Sequence, residues 1–188
     1  GLELPCTNGS AVDLALQTML PTVFFFYPRT GIPGQPPNLG FNNEDWDSIP
    51  GARGCTPQSC GFRDRIAEFN ARDIAIFGIS TNTIEHQREF KQRQHILFEF
   101  LSDSDLRLTR AMALPTFEFP VESGGPTTLI RRMAMFCQAG AIRKVWYPVF
   151  PPDQCARTVL KWIREASSRA ERLRGISRAL REPAPTDF

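Results

Sequence analysis

Two cysteines near the middle of the chain have the residue type and spacing for thiol chemistry. Cys55 and Cys60 lie five residues apart in GARGCTPQSCGFRD, residues 51–64. Cys55 follows a glycine-rich approach and lies at or just before the start of a predicted helix. Free N–H groups and the positive end of the helix dipole favour a thiolate there, and Arg53 and Arg63 add positive charge nearby in sequence. Cys55 is therefore a candidate nucleophile.

The spacing of the pair excludes an ordinary structural disulfide. On an intact α-helix, five residues correspond to about 7.5 Å of rise and roughly 140° of rotation. A disulfide needs Cα atoms about 4.4–6.8 Å apart. Cys55 and Cys60 therefore cannot bond unless the first turns of the helix unwind. A catalytic cycle in which Cys55 reacts, the helix opens and Cys60 captures the product is consistent with this spacing.

Composition indicates a globular chain of ordinary character. The 188 residues carry a formal net charge of +2, which is too small to indicate nucleic-acid binding by itself. The longest apolar run, Val23–Tyr27, has the length of a strand, and none approaches the roughly 20 residues of a membrane span. Five cysteines cannot all pair within one chain. We therefore expect a reducing compartment inside the cell, the cytoplasm first, with the nucleus or an organelle as alternatives.

Strand-like and helix-like segments alternate along the chain. This order predicts an α/β layer fold with a mixed sheet. The predicted strands are 22–27, 73–80, about 128–137 and 141–147, with a short extended piece at the start of FEFLSDSDLRLTRAMAL. The predicted helices are a segment after Cys55 carrying Phe62, Ile66 and Phe69, then 83–95, about 105–112, and a long amphipathic helix from near Asp153.

Two regions depart from this alternation. Residues 29–54 are rich in Pro, Gly and Asn and are too long for an ordinary connection, so we predict an insertion, which Phe41 and Trp46 pack onto the domain. Residues 166–188 are rich in arginine and predict a basic helix extension and tail. The chain is thus expected to be one domain at 1–165 followed by this extension.

Several motifs resemble the peroxiredoxins, and most closely their Q-type, or bacterioferritin-comigratory-protein, branch. They are FFFYPRTG, the block GCTPQSCGFRD, the strand DIAIFGIS, and the later segments FEFLSDSDLRLTRAMAL and RRMAMFCQAGAIRKVW. The resemblance covers residues 2–165 in order. It implies a thioredoxin-like fold, with a mixed central sheet flanked by helices, and the reduction of hydroperoxides.

The resemblance also implies roles for individual residues. Cys55 matches the peroxidatic cysteine, which forms a sulfenic acid, and Cys60 matches the resolving cysteine that condenses with it. The arginine that holds the thiolate matches Arg132, in Arg132-Met133-Ala134. We favour Arg132 over Arg131 because adjacent strand residues point to opposite faces of a sheet.

The sequence departs from the family pattern beside the predicted nucleophile. Ala52 stands three residues before Cys55, where the family has Thr or Ser. A hydroxyl for the peroxide could come from Thr30 or Ser48 instead, or be absent. Pro28 corresponds to the family's proline, now separated from Cys55 by the insertion. The residues expected to contact the peroxide are Pro28, Thr30 and Gly54.

The resemblance implies a hydroperoxide substrate and a thioredoxin-like dithiol reductant. It implies no metal, haem or flavin, because the thiolate carries the chemistry, and we expect neither a membrane nor a nucleic acid as partner. A monomer is expected, with a dimer as the alternative. Two other functions stay open: a peroxiredoxin scaffold recruited to another thiol reaction or a bulky substrate, and a non-catalytic redox sensor or interaction module that uses the basic tail.

The remaining cysteines and histidines are expected to be structural or solvated. Cys137 alternates with apolar strand residues and is predicted to lie in the core. Cys6 has no visible partner, and Cys155, near a helix start, is an alternative resolving thiol. His86 and His95 are predicted to be solvated surface residues.

Overall fold

A five-stranded mixed sheet forms the centre of the computed structural model. The structure describes residues 1–31, 46, 48–119 and 127–179, with side chains as far as Arg174. The strands are β1 (Glu3–Pro5), β2 (Ala11–Asp13), β3 (Thr22–Phe26), β4 (Ala75–Ser80), β5 (Glu99–Ser102), β6 (Thr116–Glu118), β7 (Thr128–Ile130), β8 (Met133–Gln138) and β9 (Ala141–Trp146).

The central sheet has the strand order β5-β4-β3-β8-β9. β3, β4 and β5 run parallel, whereas β8 and β9 run antiparallel to their neighbours. Every residue of β3 is buried, because the strand is central and both faces of the sheet are covered. β1 and β2 form one separate hairpin, and β6 and β7 form another. The predicted α/β class with a mixed sheet is confirmed.

Helices cover both faces of the sheet. One core cluster joins Phe25 of β3 to Phe62, Phe90 and Val159 from the helices on that side. The cluster on the opposite face joins Phe24 to Leu108 and other apolar residues. The helices are α1 (Leu14–Gln17), α2 (Cys55–Arg63), α3 (Ile66–Asn70), α4 (Ile84–Arg93), α5 (Arg107–Ala111) and α6 (Cys155–Ala179), with a 3₁₀ turn at Pro152–Gln154 just before α6.

Two predicted elements are divided in the structure. The helix expected after Cys55 ends at Arg63 and restarts at Ile66, because Arg65 has φ −116° and ψ 11°, outside the helical region. The strand expected over 128–137 consists of β7 and β8, which belong to different sheets. β7 pairs with β6 and β8 pairs with β3, so the chain passes from one sheet to the other at Arg131 and Arg132.

The insertion and the tail are described in part. Trp46 packs edge-on against Phe119, with ring centroids 4.9 Å apart, whereas Phe41 lies outside the described residues. α6 continues without a break past residue 165, and residues 180–188 lie outside the described part. The division at residue 165 therefore stays a prediction. Of the helices that the structure describes, none combines the length and apolar character needed to cross a membrane.

Candidate active site

Cys55 is the first residue of α2, and Gly54 is its N-cap. Gly54 has φ 106°, and a Cβ there would lie 2.3 Å from Cγ of Pro152. Only glycine fits both the left-handed backbone and this close approach. The Cys55 side chain is turned into the protein and is 5% exposed. The local sequence therefore places the sulfur at a buried helix start, where the backbone dipoles favour a negative charge.

Arg132 brings a buried positive charge to this sulfur. Its Nη2 lies 3.3 Å from Cys55 Sγ, and the residue is 3% exposed. The same nitrogen donates to the carbonyl oxygens of Gly51, Ala52 and Arg53 at 3.0–3.1 Å. The guanidinium thus fixes the loop before α2 and contacts the sulfur at its end. A hydrogen bond from a charged donor stabilises a thiolate more than the thiol.

Gln58 connects Arg132 to a second cysteine. Its Oε1 accepts from Arg132 Nη1 at 2.5 Å, and its Nε2 lies 3.6 Å from Cys155 Sγ. Cys155 is the buried first residue of α6. Burial raises the pKa of Cys155 to about 12, a larger effect than the opposing ones of the Gln58 amide and the Arg132 charge. Cys155 is therefore a protonated thiol at neutral pH.

Cys60 lies on the same helix as Cys55 but faces different neighbours. Both are free thiols, and α2 is continuous between them. Helix geometry separates their Cα atoms by about 8–9 Å, beyond disulfide range. The half-buried Cys60 thiol donates to Oε1 of Gln94 at 3.5 Å, and Arg63 Nη1 donates to the Gln94 carbonyl at 2.8 Å. Burial raises the pKa of Cys60, although Arg63 lowers it.

Arg131 points away from the two cysteines. Its Nε donates to the carbonyl of Thr116 at 3.1 Å, and its guanidinium lies 5.3 Å from the ring centroid of Phe117. Both contacts belong to the hairpin formed by β6 and β7. The geometry therefore distinguishes the two adjacent arginines.

Thr30 lies against α4 rather than against the sulfur. It is buried, its N–H donates to Oδ1 of Asn82 at 3.2 Å, and its Oγ1 lies 3.0 Å from His86 Nε2. The expectation that His86 is a solvated surface residue is wrong, because the residue is half-buried and its Nε2 contacts the Thr30 hydroxyl. Burial lowers the pKa of His86. His95 is exposed, as expected.

The other residues predicted around the peroxide differ in their exposure. Pro28 is buried just beyond the end of β3, and Ser48 is exposed. Ala52 is fully buried, and its carbonyl oxygen lies 3.6 Å from Cys55 Sγ. Among the described residues, the polar contacts of that sulfur are with this carbonyl and with Arg132.

Two residues of the site were not predicted from the sequence. Gln58 follows Cys55 by three positions on one helix, a spacing that places side chains near one another and could have identified it. Gln94 is 34 residues from Cys60, and no local pattern indicates that they meet. Within the described ranges, no three His, Cys, Asp or Glu side chains are grouped so that they could hold a metal ion.

The sheet order and the position of Cys55 define a class of protein. A cysteine at the start of the helix that follows a central strand of a mixed, helix-covered sheet is a thioredoxin-like arrangement. The Redoxin family model matches residues 2–160. The chain belongs to the redoxin family, and the predicted thioredoxin-like fold is confirmed.

The relatives of the chain carry peroxiredoxin names, as its motifs predicted. "Peroxiredoxin Q, chloroplastic" of Suaeda salsa is 25% identical over 156 residues, which are 83% of this chain and 61% of that protein. The chain thus spans about three fifths of the length of such curated relatives.

Solved structures of the same branch share the fold. A PrxQ variant of Xylella fastidiosa has a TM-score of 0.68 at 19% identity, covering 89% of this chain and 90% of that one. The bacterioferritin comigratory protein of Xanthomonas campestris, studied for its alkyl peroxide reduction activity, has a TM-score of 0.65 at 21% identity, covering 88% and 91%.

Proposed function

We propose that the chain is a thiol-dependent peroxidase that reduces hydrogen peroxide or organic hydroperoxides. The observation that carries the proposal is the 3.3 Å contact between Arg132 Nη2 and Cys55 Sγ at a helix start. Membership of the redoxin family and the peroxiredoxin names of its relatives support it. Buried at a helix start and adjacent to a guanidinium, this sulfur has the surroundings of a nucleophile.

In the first step, the Cys55 thiolate attacks the distal oxygen of the peroxide. The S–O bond forms as the O–O bond breaks, so the sulfur is oxidised to a sulfenic acid and the leaving oxygen takes a proton to become water or an alcohol. Arg132 has a further role here, since its Nε is buried and has no hydrogen-bond partner among the described residues. A peroxide oxygen that enters the site is a suitable acceptor for this N–H.

In the second step, the sulfur of Cys60 attacks the Cys55 sulfenic acid, which forms a disulfide and releases water. The 8–9 Å estimated between the two Cα atoms requires α2 to unwind locally. Unwinding breaks the Cys60 contact with Gln94, and it also strains the packing of Phe62, whose ring stacks on Phe25 at 4.5 Å. An external dithiol then reduces the disulfide and is itself oxidised.

The remaining assignments follow from this cycle. The reductant is a thioredoxin-like dithiol protein, the enzyme works in a reducing compartment, and it needs no second subunit because both cysteines belong to one chain. We expect Pro28 and Gly54 to line the site. Thr30 contacts the peroxide only if its side chain moves away from His86. Alkyl hydroperoxides are candidate substrates because the Xanthomonas campestris protein is described for alkyl peroxide reduction.

A thiol count tests the proposal. The reduced chain has five thiols. One equivalent of hydrogen peroxide or of an alkyl hydroperoxide should remove two of them. Cys60→Ser should lose only one, as a sulfenic acid, and Cys55→Ser should lose none. An unchanged count in the wild-type chain with every peroxide would contradict the proposal. Turnover of disulfides but not of peroxides would instead favour a recruited thiol function.

A further inference from the structure

A second cleft lies between α6 and the end of the central sheet at which β3 begins. It has a volume of about 750 Å³ and extends along α6 from Trp162 to Arg174. Pro21, just before β3, lines it, whereas Cys55 contacts Arg132, which directly precedes Met133, the partner of Phe26 at the other end of β3. β3 is roughly 17 Å long at about 3.3 Å per residue. The cleft is therefore separate from the candidate active site.

Arginines form the rim of the cleft. They come from three different parts of the fold: Arg72 from the turn before β4, Arg143 from β9, and Arg164 and Arg174 from α6. Arg164 forms an ion pair with Glu68. Arg72 and Arg143 instead donate to the backbone carbonyls of Glu68 and Gln138.

A backbone carbonyl orients an arginine without neutralising it. The charges of Arg72 and Arg143 are therefore available to a ligand, and Arg174 adds a third at the end of the cleft. Glu171 is the one carboxylate that lines it among the described residues. The rim thus has an excess of positive charge, with donors suited to an oxyanion such as a phosphate.

The floor of the cleft is apolar and aromatic. Phe136, Trp162, Ile163 and Ile74 line it, and Trp162 packs against Phe136 with ring centroids 5.8 Å apart. The α6 positions that face this floor carry small side chains, Ala166 and Ala170, which leave space between the helix and the sheet. The cleft has a volume typical of small-molecule sites, about 300–1,000 Å³.

We propose that this cleft binds an organic phosphate, with its phosphate on the arginine rim and its apolar or aromatic body on the floor. An inorganic anion uses only the rim, and an uncharged apolar molecule uses only the floor. A nucleotide and a phosphate ester of a fatty alcohol share the required chemistry. The site is independent of Cys55 and of the proposed peroxidase cycle.

Titration calorimetry on the full chain at about 150 mM salt tests this site. The probes are AMP, dodecyl phosphate below its micelle concentration, and inorganic phosphate. We expect one or both of the organic phosphates to bind with a Kd below about 1 mM, at least roughly tenfold more tightly than inorganic phosphate. Binding of AMP would show that the floor accepts a planar base, and binding of dodecyl phosphate would show that it accepts an alkyl chain.

Matched variants of α6 and β9 locate the binding. Arg174→Gln and Arg143→Gln should each weaken it by roughly tenfold, because each removes a charged donor. Arg169→Gln, an exposed arginine on the same helix that does not line the cleft, should change it by less than about twofold. Ala170→Trp fills the space without changing the charge and should abolish binding. Circular dichroism and the peroxide reaction of Cys55 should be unchanged in all four variants.

Three results would overturn the inference. They are no binding of either organic phosphate, equal binding of inorganic phosphate, and an equal loss in Arg169→Gln and Arg174→Gln. The last would show attraction to the general charge of the helix rather than a site.

Discussion

Cys55 and Cys155 occupy similar local positions and differ in their neighbours, although Cys55 follows the glycine N-cap Gly54 and Cys155 follows the 3₁₀ turn Pro152–Gln154. Each is the buried first residue of a helix, and Gln58 lies between them. Cys55 Sγ lies 3.3 Å from the guanidinium of Arg132, whereas Cys155 Sγ has the neutral amide of Gln58 at 3.6 Å. Burial raises the pKa of Cys155 to about 12.

The comparison shows that a helix start alone does not make a cysteine reactive. The N-terminal dipole of a helix contributes about 0.3–1 kcal/mol at an exposed site, less than the cost of burying an uncompensated charge. At Cys55 the guanidinium compensates the charge, and at Cys155 nothing comparable touches the sulfur among the described residues. We therefore propose that the positions of the two sulfurs relative to Arg132 decide which one can act as a thiolate.

Replacing each of these two cysteines by serine should give the largest difference in the rate of peroxide reduction. We expect Cys55→Ser to lower the rate of peroxide reduction by roughly 10³-fold or more, because a hydroxyl is not ionised at neutral pH. Cys155→Ser should leave the rate within about threefold. Stopped-flow measurement of peroxide consumption under thioredoxin-type recycling checks both. Comparable losses of rate in Cys55→Ser and Cys155→Ser would contradict the proposed difference between the two cysteines.

Removing the guanidinium should give the next largest effect. Arg132→Met is expected to lower the second-order rate constant of Cys55 oxidation by about 10²–10³-fold, the range seen when a charge-stabilising donor is removed. It should also lower the free energy of unfolding by about 1–3 kcal/mol, since carbonyl oxygens of the loop lose their donor.

The adjacent arginine is the control for that variant. Arg131→Met should change the rate constant by less than about threefold, because Arg131 contacts Thr116 and Phe117 instead. Chemical denaturation separates a lost catalytic contact from general destabilisation. If Arg131→Met slows the reaction as much as Arg132→Met, the assignment of the guanidinium is wrong.

The resolving step should depend steeply on pH. Burial raises the pKa of Cys60, and a thiol below its pKa is protonated, so its thiolate fraction rises about tenfold for each pH unit. Disulfide formation after a fixed dose of peroxide should therefore accelerate from pH 6 to pH 8 and still be rising at pH 9. Thiol counting in a quenched-flow series measures it. A flat profile would indicate that unwinding of α2, rather than ionisation of Cys60, limits this step.

Releasing Cys60 from Gln94 should have the smallest effect. Gln94→Ala removes the acceptor of the Cys60 thiol but keeps the backbone carbonyl that binds Arg63. Since a hydrogen bond contributes about 0.5–1.5 kcal/mol, disulfide formation should accelerate by roughly two- to tenfold. Gln92→Ala, two residues earlier on α4, is the matched control. Equal rates in Gln94→Ala and the wild type would show that this contact does not restrain the helix.

Local signals in the sequence were enough to predict the class of fold, and they indicated Cys55 and Cys60 as the candidate reactive pair. Alternating apolar segments predicted the sheet and its helices, and the GCTPQSC block placed Cys55 at a helix start. The structure adds the reason for Gly54, which is the approach of Pro152 from nearly 100 residues further along the chain. Such non-local contacts leave no periodic pattern.

The parts that were not predicted depend on contacts between distant segments. The change of sheet at Arg131 and Arg132 follows from the pairing of β7 with β6, which hydropathy in 128–137 does not reveal. The half-buried His86 contacts the hydroxyl of Thr30, 56 residues away. The contact between Arg132 and Cys55 joins residues that are 77 positions apart in the sequence. The family motif indicated Arg132. Strand periodicity did not predict the break between β7 and β8 at this position.

The most direct test is to identify the sulfur that peroxide oxidises first. The Cys60→Ser variant, which cannot form the proposed disulfide, is treated with one equivalent of peroxide and a sulfenic-acid trapping reagent, and the modified peptide is located by mass spectrometry. The account predicts a single adduct on Cys55, which Arg132→Met strongly reduces and Arg131→Met does not. An adduct on Cys155 with Cys55 unmodified would contradict it.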